Sequence, residues 1–561
     1  MRPVALFAAI LLLLPSAGAK AAQLSISAQG AAVHSTGGPY PGDCWNLWSN
    51  GYIAQPIRVL IPGNYSIQVR AWGSPAGRVW PEMSLLVDGL GTSVVRVGTA
   101  ERRDYSFAVS LTAGVHEIGV AFLNDMMLGN EDRNLYLERI VIVSPASGIA
   151  CQTVSTTVAN VAGSVRERQT LVATTAAIDR NRKGAAVVRV VSAAGREVPA
   201  ARVTVEQTGH EFLFGGNIFM FDRLPTSAQN AAYKQSFQDL FNYATLGFYW
   251  RSYEPQRGKP DYPGTDRVAA WCRQRSIRMK GHPLLWADEA GVPVWSQGLP
   301  AADVQRRRVD DILARYRDRI EFWEVVNEPS HLTSLKIDDP YRWARQAAPF
   351  GKLIVNDYNV MADGAPAFFQ LLSDAKRNGV PFDAVGIQAH EPQTMRFPLD
   401  RVQRILDRYA SLNVGLHITE FTPTSSGQPV TGWYGSGKWD EQTQAEYAEQ
   451  FYQVCFAHPA VEAITWWDLC DSGAWLRGGG LLRADLTPKP ARDRLYDLIQ
   501  RKWKTRLTGY SDAQGRYSFR GFYGAYRVTA VAPTGATAVR TFRLKKGDPP
   551  PTWTVTLGAA P

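Results

Sequence analysis

Two glutamates stand at the ends of short apolar segments that lie far apart in the sequence. Glu328 lies near the end of EFWEVVNEPSH, residues 321–331, and Glu420 lies in HITEF, residues 417–421. A single glutamate in such a place is more often a salt-bridge partner in a loop than a catalyst. Two glutamates at one rim can work as a pair, with one carboxyl protonated and the other ionised. Hydrolysis of a glycosidic bond requires such a pair.

The segment around Glu328 holds two further glutamates. An unpaired carboxylate is costly to bury, so each charge in this apolar run needs a partner or contact with water. Glu324 and Glu328 would share one face of a strand, because side chains alternate along it. Glu324 would then lie one layer deeper, where Lys280 of the neighbouring strand is the expected counter-ion. Glu321 begins the strand and is expected to face solvent.

Residues 211–504 alternate between short apolar strands and helices. The strand candidates are EFLFGGNIFM, YATLGFYW, IRMKGHPLLW, EFWEVVNEP, KLIVNDYNV, AVGIQAH, GLHITEF and VEAITWWDL. ADVQRRRVDDILARYRDR and APAFFQLLSDAKRNG are typical of helices between them. The number of units and the length of the region predict an α/β fold, a (β/α)8 TIM barrel. The active site of such a barrel forms at the carboxyl ends of its strands.

Polar and aromatic side chains gather at those predicted strand ends. Besides the two glutamates, they are His282, Trp286, Asn327, Gln388, His390, Trp467 and Trp475. Because the carboxyl ends of barrel strands meet at one rim, these side chains are expected to surround the carboxyl pair.

The remaining sequence is predicted to form five further segments. Residues 1–22 have a short basic start, an apolar run and small residues, which is typical of a cleaved secretory signal. Residues 24–145 show alternating apolar runs between turn residues and predict a β-sandwich. Residues 146–163 are rich in small residues and threonine and predict a linker. Residues 164–210 predict a helix and a β-hairpin before the barrel, and residues 505–561 a small β domain.

Charge and hydropathy restrict the class of protein. The net charge of +10 favours an anionic polymer, but no basic block interleaved with aromatic residues indicates nucleic-acid binding. After the signal, no apolar segment is long enough to span a bilayer. We therefore expect a secreted monomer, located outside the cell, in a periplasm or at the cell surface.

The chain has five cysteines, an odd number. Export permits disulfides, and Cys44 with Cys151 is a reasonable pair that would enclose the first domain. The other three lie in apolar segments and are typical of core thiols; they are Cys272, Cys455 and Cys470. No CxxC or HExxH spacing indicates a zinc site.

Six stretches of the barrel region occur in the order found in glycoside hydrolase family 10, the endo-1,4-β-xylanases, which this sequence resembles. They are GHPLLW, WEVVNEP, NDYN, GIQAH, HITEF and LLRADLTPKPA. The resemblance implies a retaining double displacement without a cofactor. It implies that Glu328 is the general acid/base, that Glu420 is the nucleophile, and that Asn327 contacts the sugar 2-hydroxyl beside the scissile bond.

The resemblance also implies roles for the other residues at the rim. His282, Trp286, Trp467 and Trp475 would line the same subsite. Gln388 and His390 would support and hydrogen-bond the nucleophile, and Tyr358 of NDYN would help to shape the cleft.

The second predicted strand departs from the family pattern. Family members usually carry a Glu-Asn pair and then a Lys-Trp pair there, whereas this chain has YATLGFYWRSYEPQRG. Trp250 and EPQRG are present, but the Asn and Lys that grip the next sugar outward are absent. A branched xylan or an altered subsite on the non-reducing side would account for this change.

The first domain resembles the calcium-dependent xylan-binding modules of carbohydrate-binding families 36 and 60. The stretches that carry this resemblance are VHEIGVAFLND and EDRNLYLERIVI. The candidate calcium ligands are Asn124, Asp125, Asp132 and Asn134, which cluster between two strands. An ordinary polar turn is the alternative. Trp72 and Trp80 are either sugar platforms or core residues.

These features predict a secreted, modular endo-xylanase that acts on xylan or a related plant cell-wall polysaccharide. The first alternative is a hydrolase of the same fold that acts on β-glucan or heavily decorated xylan. The second is a carbohydrate-binding protein with little turnover.

Overall fold

The computed structural model describes residues 22–145, 149–390, 393–432 and 436–558. The predicted signal, residues 1–22, lies outside this range except for its last residue. The chain forms two compact units, Met1–Ala159 and Asn160–Pro561. Among the described residues, no helix is long and apolar enough to cross a membrane.

The first unit is a sandwich of two antiparallel sheets. One sheet has the order β3-β4-β13-β6-β9 with β1 beside β13, and the other has the order β14-β5-β10-β7-β8 with β2 beside β5. The strands are β1 (Gln23–Ser27), β2 (Val33–His34), β3 (Gly38–Tyr40), β4 (Cys44–Leu47), β5 (Gly51–Val59), β6 (Gly63–Ser74), β7 (Glu82–Val87), β8 (Leu90–Arg96), β9 (Arg103–Leu111), β10 (Gly114–Phe122), β11 (Met127–Leu128), β12 (Glu131–Asp132), β13 (Asn134–Val143) and β14 (Cys151–Thr153).

Alternation of side chains builds the core of this sandwich. Tyr65, Ile67 and Val69 of β6 are buried between the sheets, while Ser66 and Gln68 between them face outward. The short strands β11 and β12 form a separate hairpin. The predicted β-sandwich is confirmed.

The predicted disulfide is wrong. All five cysteines lie within the described residues, and each is a free thiol. Cys44 lies on β4 and Cys151 on β14, so the two belong to different sheets. The thiol of Cys44 instead donates a hydrogen bond to the carbonyl oxygen of Gly42 at 3.2 Å.

The predicted linker, residues 146–163, is also wrong over most of its length. Strand β14 pairs with β5, and helix α1 (Thr156–Arg182) covers the last eight residues of the predicted linker. The small residues and threonines of this stretch are compatible with a helix. At its other end, the guanidinium of Arg182 donates to the carbonyl oxygen of Val461 at 2.8 Å and so fixes α1 to the barrel. Strands β15 (Lys183–Val191) and β16 (Arg202–His210) follow.

The predicted TIM barrel is confirmed. All its strands are parallel, and the ring closes between β17 and β25 and between β19 and β21. The strands are β17 (Leu213–Asn217), β18 (Tyr243–Gly247), β19 (Arg278–His282), the short β20 (Leu285–Trp286), β21 (Phe322–Asn327), β22 (Lys352–Asp357), β23 (Ala384–Ala389), β24 (Gly415–Phe421) and β25 (Val461–Trp466).

Helices surround the barrel and bury their apolar faces against it. On α5 (Ala302–Tyr316), the apolar residues Val309, Ile312 and Leu313 recur at helical spacing and are fully or almost fully buried. The helices are α2 (Ser227–Leu240), α3 (Trp250–Tyr253), α4 (Tyr262–Gln274), α5 (Ala302–Tyr316), α6 (Asp338–Ala347), α7 (Val360–Asp363), α8 (Pro366–Arg377), α9 (Leu399–Ala410), α10 (Glu441–Ala457) and α11 (Pro490–Asp497), with a 3₁₀ turn at Glu289–Gly291 and a π turn at Leu498–Lys502.

The C-terminal strands do not form an independent domain. Strand β15 pairs with β27 and β30, and β16 pairs with β26 and β28, so the predicted hairpin of β15 with β16 is wrong. The two sheets share one core, in which Val188 and Val203 pack with Tyr526 and Trp553. The added strands are β26 (Arg506–Tyr510), β27 (Arg516–Phe522), β28 (Gly524–Val531), β29 (Thr537–Leu544) and β30 (Thr552–Thr556).

Candidate active site

Irregular strand ends bring the polar residues together at the mouth of the barrel. Asn327 lies beside Trp286 on one side and Asn356 on the other, and Gln388 lies beside Glu420. The pairing register shifts between β21 and β22 just before Asn327, and between β23 and β24 just before Gln388. Such bulges redirect side chains next to active sites.

Glu328 is held at the mouth by its backbone and by three donors. Its φ of 57° is left-handed, which is unusual for a residue other than glycine. The indole of Trp286 donates to Oε2 at 2.9 Å. The amides of Gln388 and Asn327 donate to Oε1 at 2.9 and 3.1 Å. Simple alternation does not explain the site, since both Asn327 and Glu328 reach it from consecutive positions.

Glu420 lies deeper, and its side chain is almost fully buried. The amide of Asn356 donates to its Oε1 at 3.0 Å. The imidazole Nε2 of His390 lies 3.3 Å from its Oε2. Burial lowers the pKa of His390 to about 3, so this imidazole is neutral and its Nε2–H can donate to the carboxylate.

Two amides connect the carboxyl groups. Asn356 donates to the side-chain oxygen of Asn327 at 2.8 Å as well as to Glu420, and Asn327 donates to Glu328. Thr419 donates to the side-chain oxygen of Asn356 and so orients its amide. A Cβ atom at Gly386 would lie only 2.6 Å from that oxygen, which explains the glycine in the adjacent strand.

A fully paired charge cluster lies in the layer below. Glu324 forms an ion pair with Lys280 and accepts a hydrogen bond from Nδ1 of His282, and all three side chains are buried. Burial alone would raise the pKa of Glu324, but these two partners lower it to about 2. The predicted partnership with Lys280 is confirmed. The cluster lies close to the nucleophile candidate, since polar atoms of His282, Glu324 and Glu420 lie within 4.8 Å of one another.

That spacing would also suit a metal, but the Lys280 ammonium already supplies a positive charge there. Among the described residues, neither carboxyl at the mouth forms an ion pair with a lysine or an arginine, although the charge of Lys280 acts on Glu420 from the layer below. Burial raises the pKa of Glu328 to about 7, with the charge of Asp357 adding to the effect. Burial, then the charges of Glu324 and Glu328, raise the pKa of Glu420 well above its usual range. The pair therefore retains a proton near neutral pH.

Comparison with known families identifies both parts of the chain. Residues 221–498 match the model of glycosyl hydrolase family 10. The barrel belongs to this family. Residues 66–157 match the model of a Ca-dependent, xylan-binding carbohydrate-binding module, family 60, and this covers most of the N-terminal sandwich.

The relatives of this barrel include proteins named as endo-1,4-β-xylanases and one named as an anti-sigma factor. An endo-1,4-β-xylanase B of Thermotoga neapolitana is 26% identical over 57% of this chain and 97% of its own length. Endo-1,4-β-xylanase 2 of Arabidopsis thaliana is 25% identical over 63% of this chain and 33% of its own length. Anti-sigma-I factor RsgI6 of Acetivibrio thermocellus is 27% identical over 66% of this chain and 48% of its own length. The chain thus spans half or less of the last two relatives.

The family 10 residues expected at the rim are found there, with one change of role. Trp467 is buried and makes edge-to-face contacts with His282 and His390, at 5.2 and 6.2 Å between ring centres. Trp475 is 52% exposed. Gln388 was expected to support the nucleophile, and this is wrong: it donates to Glu328, because the bulge in β24 turns Glu420 towards Asn356 and His390.

Four residues at the mouth of the barrel were missed from the sequence. Asn356 and Asp357 end β22, and the strand-end rule that selected Asn327 would also have found them. His331 donates to Asp357 at 2.6 Å and stacks on Tyr358, with ring centres 3.6 Å apart. Although burial opposes it, Asp357 raises the pKa of His331.

Tyr249 is the fourth missed residue, and it marks the departure at the second strand. Its hydroxyl lies 3.1 Å from Nε2 of His282, and its ring centre lies 6.0 Å from that of Trp286. The tyrosine therefore stands in the site, directly before Trp250, where family 10 usually has lysine. Trp250 itself is buried and donates to Glu254 at 2.9 Å.

In the N-terminal module, three of the four candidate ligands fit calcium. Oδ1 of Asp125 and Oδ1 of Asn134 are buried without a hydrogen-bond partner among the described residues. Burial and the charge of Asp132 raise the pKa of Asp125. A hard cation satisfies oxygens of this kind. The side chain of Asn124 is instead occupied by backbone groups, since it accepts from Glu82 at 2.7 Å and donates to Trp80 at 3.1 Å.

Proposed function

We propose that this protein is a secreted, endo-acting xylanase that cleaves β-1,4-xylosidic bonds with retention of configuration. The observation that carries the proposal is the pair of Glu328 and Glu420 at the mouth of a family 10 barrel, connected through the side-chain amides of Asn327 and Asn356. The xylan-binding module on the same chain supports xylan as the substrate.

The first chemical step would form a covalent intermediate on Glu420. Its carboxylate attacks the anomeric carbon while the bond from that carbon to the leaving oxygen breaks. Glu328 gives its proton to that oxygen in the same step. The raised pKa of Glu328 keeps the proton available near neutral pH. Burial raises the pKa of Glu420, and the hydrogen bond from Asn356 opposes this effect. With the nearby imidazole of His390, this bond would favour the ionised form that attacks the sugar.

The second step would release the sugar. Glu328, now ionised, removes a proton from water as the water oxygen attacks the anomeric carbon. The bond to Glu420 breaks, which returns both carboxyls to their starting states. Two inversions at one carbon give net retention.

Hydrolysis of purified unbranched xylan tests the proposal, with products resolved by size and the anomeric signal followed by NMR. We expect a spread of oligosaccharides early in the reaction and the β-anomer as first product. Direct formation of the α-anomer would contradict retention, and release of only single sugars would contradict endo action. Mixed-linkage β-glucan is tested in parallel, and its hydrolysis would indicate a β-glucanase.

A wild-type protein that binds polysaccharides but hydrolyses no β-glycan would favour the carbohydrate-binding alternative. That alternative has one supporting observation, the relative named as an anti-sigma factor rather than as an enzyme.

We also propose that Asp125, Asp132 and Asn134 bind calcium in the N-terminal module. The ion would neutralise the repulsion between the two acidic side chains and order the segment that joins β10 to β13. Titration calorimetry with CaCl₂ tests this on the full chain. We expect Asp125→Ala to abolish the heat of binding and Asp104→Ala, an exposed carboxyl on β9, to leave it unchanged. Equal binding by both variants would contradict the site.

Finally, we propose that residues 1–22 direct export. A reporter fused to these residues should be processed and leave the cytoplasm, and a reporter retained at full length inside the cell would contradict this.

A further inference from the structure

A second cavity lies beside the catalytic centre, between the loops that follow β17 and β18. It has a volume of about 380 Å³ and is also lined by the first half of α4. Pockets for small ligands typically fall between about 300 and 1,000 Å³. The loops that follow barrel strands form the catalytic face, so this cavity opens on the side of the barrel where the substrate binds.

Two aromatic side chains form a wall between the cavity and the catalytic centre. Tyr249 lines the cavity and also reaches His282 through its hydroxyl at 3.1 Å. Phe219 lines the cavity and contacts Trp467 edge to face, with ring centres 5.5 Å apart. A group that occupies the cavity would therefore lie next to a sugar bound over these aromatic side chains.

Two carboxylates and two guanidinium groups line the cavity, and both carboxylates already have partners. Asp222 is neutralised by Lys234, whose Nζ lies 2.6 Å from its Oδ1. Asp261 caps α4 by accepting from the backbone N–H of Gly264 at 3.0 Å. In contrast, the guanidinium groups of Arg223 and Arg267 have neither an ion pair nor a side-chain hydrogen bond within the described part of the chain.

The segment that departs from the family pattern also lines this cavity. Leu246, Gly247 and Tyr249 line the cavity and belong to the segment that lacks the usual Asn and Lys. The chain has thus lost a cation that would grip the main chain of the substrate. At the cavity it has two arginines that form no ion pair with any described residue.

We propose that this cavity binds the carboxylate of a uronic acid branch on xylan, with Arg223 and Arg267 as its partners. The inference rests on the proposed function, because the main chain must lie in the catalytic cleft for a branch to reach the cavity. Guanidinium groups suit a carboxylate, since their donors match its two oxygens. The enzyme would then prefer acidic, branched xylan over xylan without charged branches.

The test compares one polymer in two chemical forms, glucuronoxylan and the same material with its carboxyl groups reduced to alcohols. The quantity measured is the ratio of kcat/KM on the acidic polymer to kcat/KM on the reduced one. We expect R223A/R267A to lower this ratio about fivefold to tenfold, since exposed charge pairs are individually weak. The matched control is Arg273→Ala, on the same helix as Arg267 but outside the cavity, which should leave the ratio unchanged.

Three outcomes would overturn the inference while leaving the proposed function intact. One is an unchanged ratio in R223A/R267A. Another is an equal fall of this ratio in Arg273→Ala, which would indicate only long-range attraction of the acidic polymer by the net charge of the protein. The third is a wild type that hydrolyses the reduced polymer as well as the acidic one. Failure of the wild type on both polymers and on unbranched xylan would instead reject the proposed function.

Discussion

Glu324 and Glu328 lie four residues apart at one strand of the barrel, yet their surroundings give them opposite properties. The pKa of Glu324 is lowered to about 2, whereas that of Glu328 is raised to about 7. Burial acts on both in the same direction. The difference arises because Glu324 has the cationic partner Lys280 and the imidazole of His282, while Glu328 has only neutral donors.

The comparison separates two layers of one barrel. In the lower layer, the buried charges of Lys280 and Glu324 neutralise each other, so removal of one would leave the other unpaired. At the mouth, the two carboxyls form no ion pair with a lysine or an arginine among the described residues, and they retain a proton that can be transferred. Perturbed carboxyls that are not explained by a structural ion pair indicate a functional site. Substitutions in the two layers should therefore have their largest effects on different properties.

The largest effect is expected at the mouth. Glu420→Gln removes the nucleophile and should lower kcat/KM on xylan by at least about 10⁴-fold. Glu328→Gln removes the acid/base and should lower it by about 10² to 10⁴-fold. An aryl xyloside with a good leaving group needs no proton in the first step, so Glu328→Gln should still release a burst of the aryl group.

The control for these two variants is the midpoint temperature of thermal unfolding, which should change little in either of them. Equal losses of both variants on the aryl xyloside, without a burst, would contradict the assignment of separate roles.

The sequence was sufficient to find the barrel and its two central carboxyls. Each strand is a short apolar run that ends in polar residues, and that pattern depends only on neighbours in the sequence. The pair of Glu328 and Glu420 followed because strand ends share one rim. The partner of Glu324 could also be inferred, since a buried carboxylate needs a cation and Lys280 lies on the adjacent strand.

The features that were missed depend on contacts between distant segments. Strand β16 pairs with β26 and β28, which lie some three hundred residues later, and local periodicity does not report such pairing. The role of Gln388 depends on a bulge between β23 and β24. The start of α1 was hidden because its small residues and threonines occur in linkers and helices alike.

The next largest effect is expected in the lower layer, on stability. Lys280→Met leaves Glu324 with only His282, and breaking a buried ion pair in this way costs about 3–5 kcal/mol. Thermal unfolding at pH 7 measures the loss. The double variant K280M/E324Q should be less destabilised than the sum of the single variants, because neither charge then remains. Additive losses would contradict a direct interaction.

The ion pair of Lys280 and Glu324 also predicts how the stability of the protein depends on pH. The folded-state pKa of Glu324 is below its ordinary value of 4.5, so its contribution is complete above that value and is lost as pH falls towards about 2. This acid-dependent loss should be smaller in Lys280→Met than in the wild type. A loss of the same size in both proteins would assign it to other carboxyls.

A moderate effect is expected on the pH profile of activity. Because Glu328 must be protonated and its pKa is raised to about 7, kcat/KM should fall as pH rises through that value. Gln388 donates to the carboxylate and so lowers this pKa. Gln388→Ala should therefore move the alkaline limb to higher pH, by up to about one unit. A limb that stays in place or moves to lower pH would contradict this role.

The smallest effect is expected at Glu321, the first glutamate of the same segment. Its side chain is 53% exposed and pairs with Arg278 at the surface, on the far side of the barrel from the mouth. Exposed ion pairs contribute about 0.2–1 kcal/mol. Glu321→Gln should therefore shift the unfolding midpoint only slightly and leave both kcat/KM and its alkaline limb unchanged. A shift of that limb would mean that charge at the base of the strand reaches Glu328, and the separation into layers would then fail.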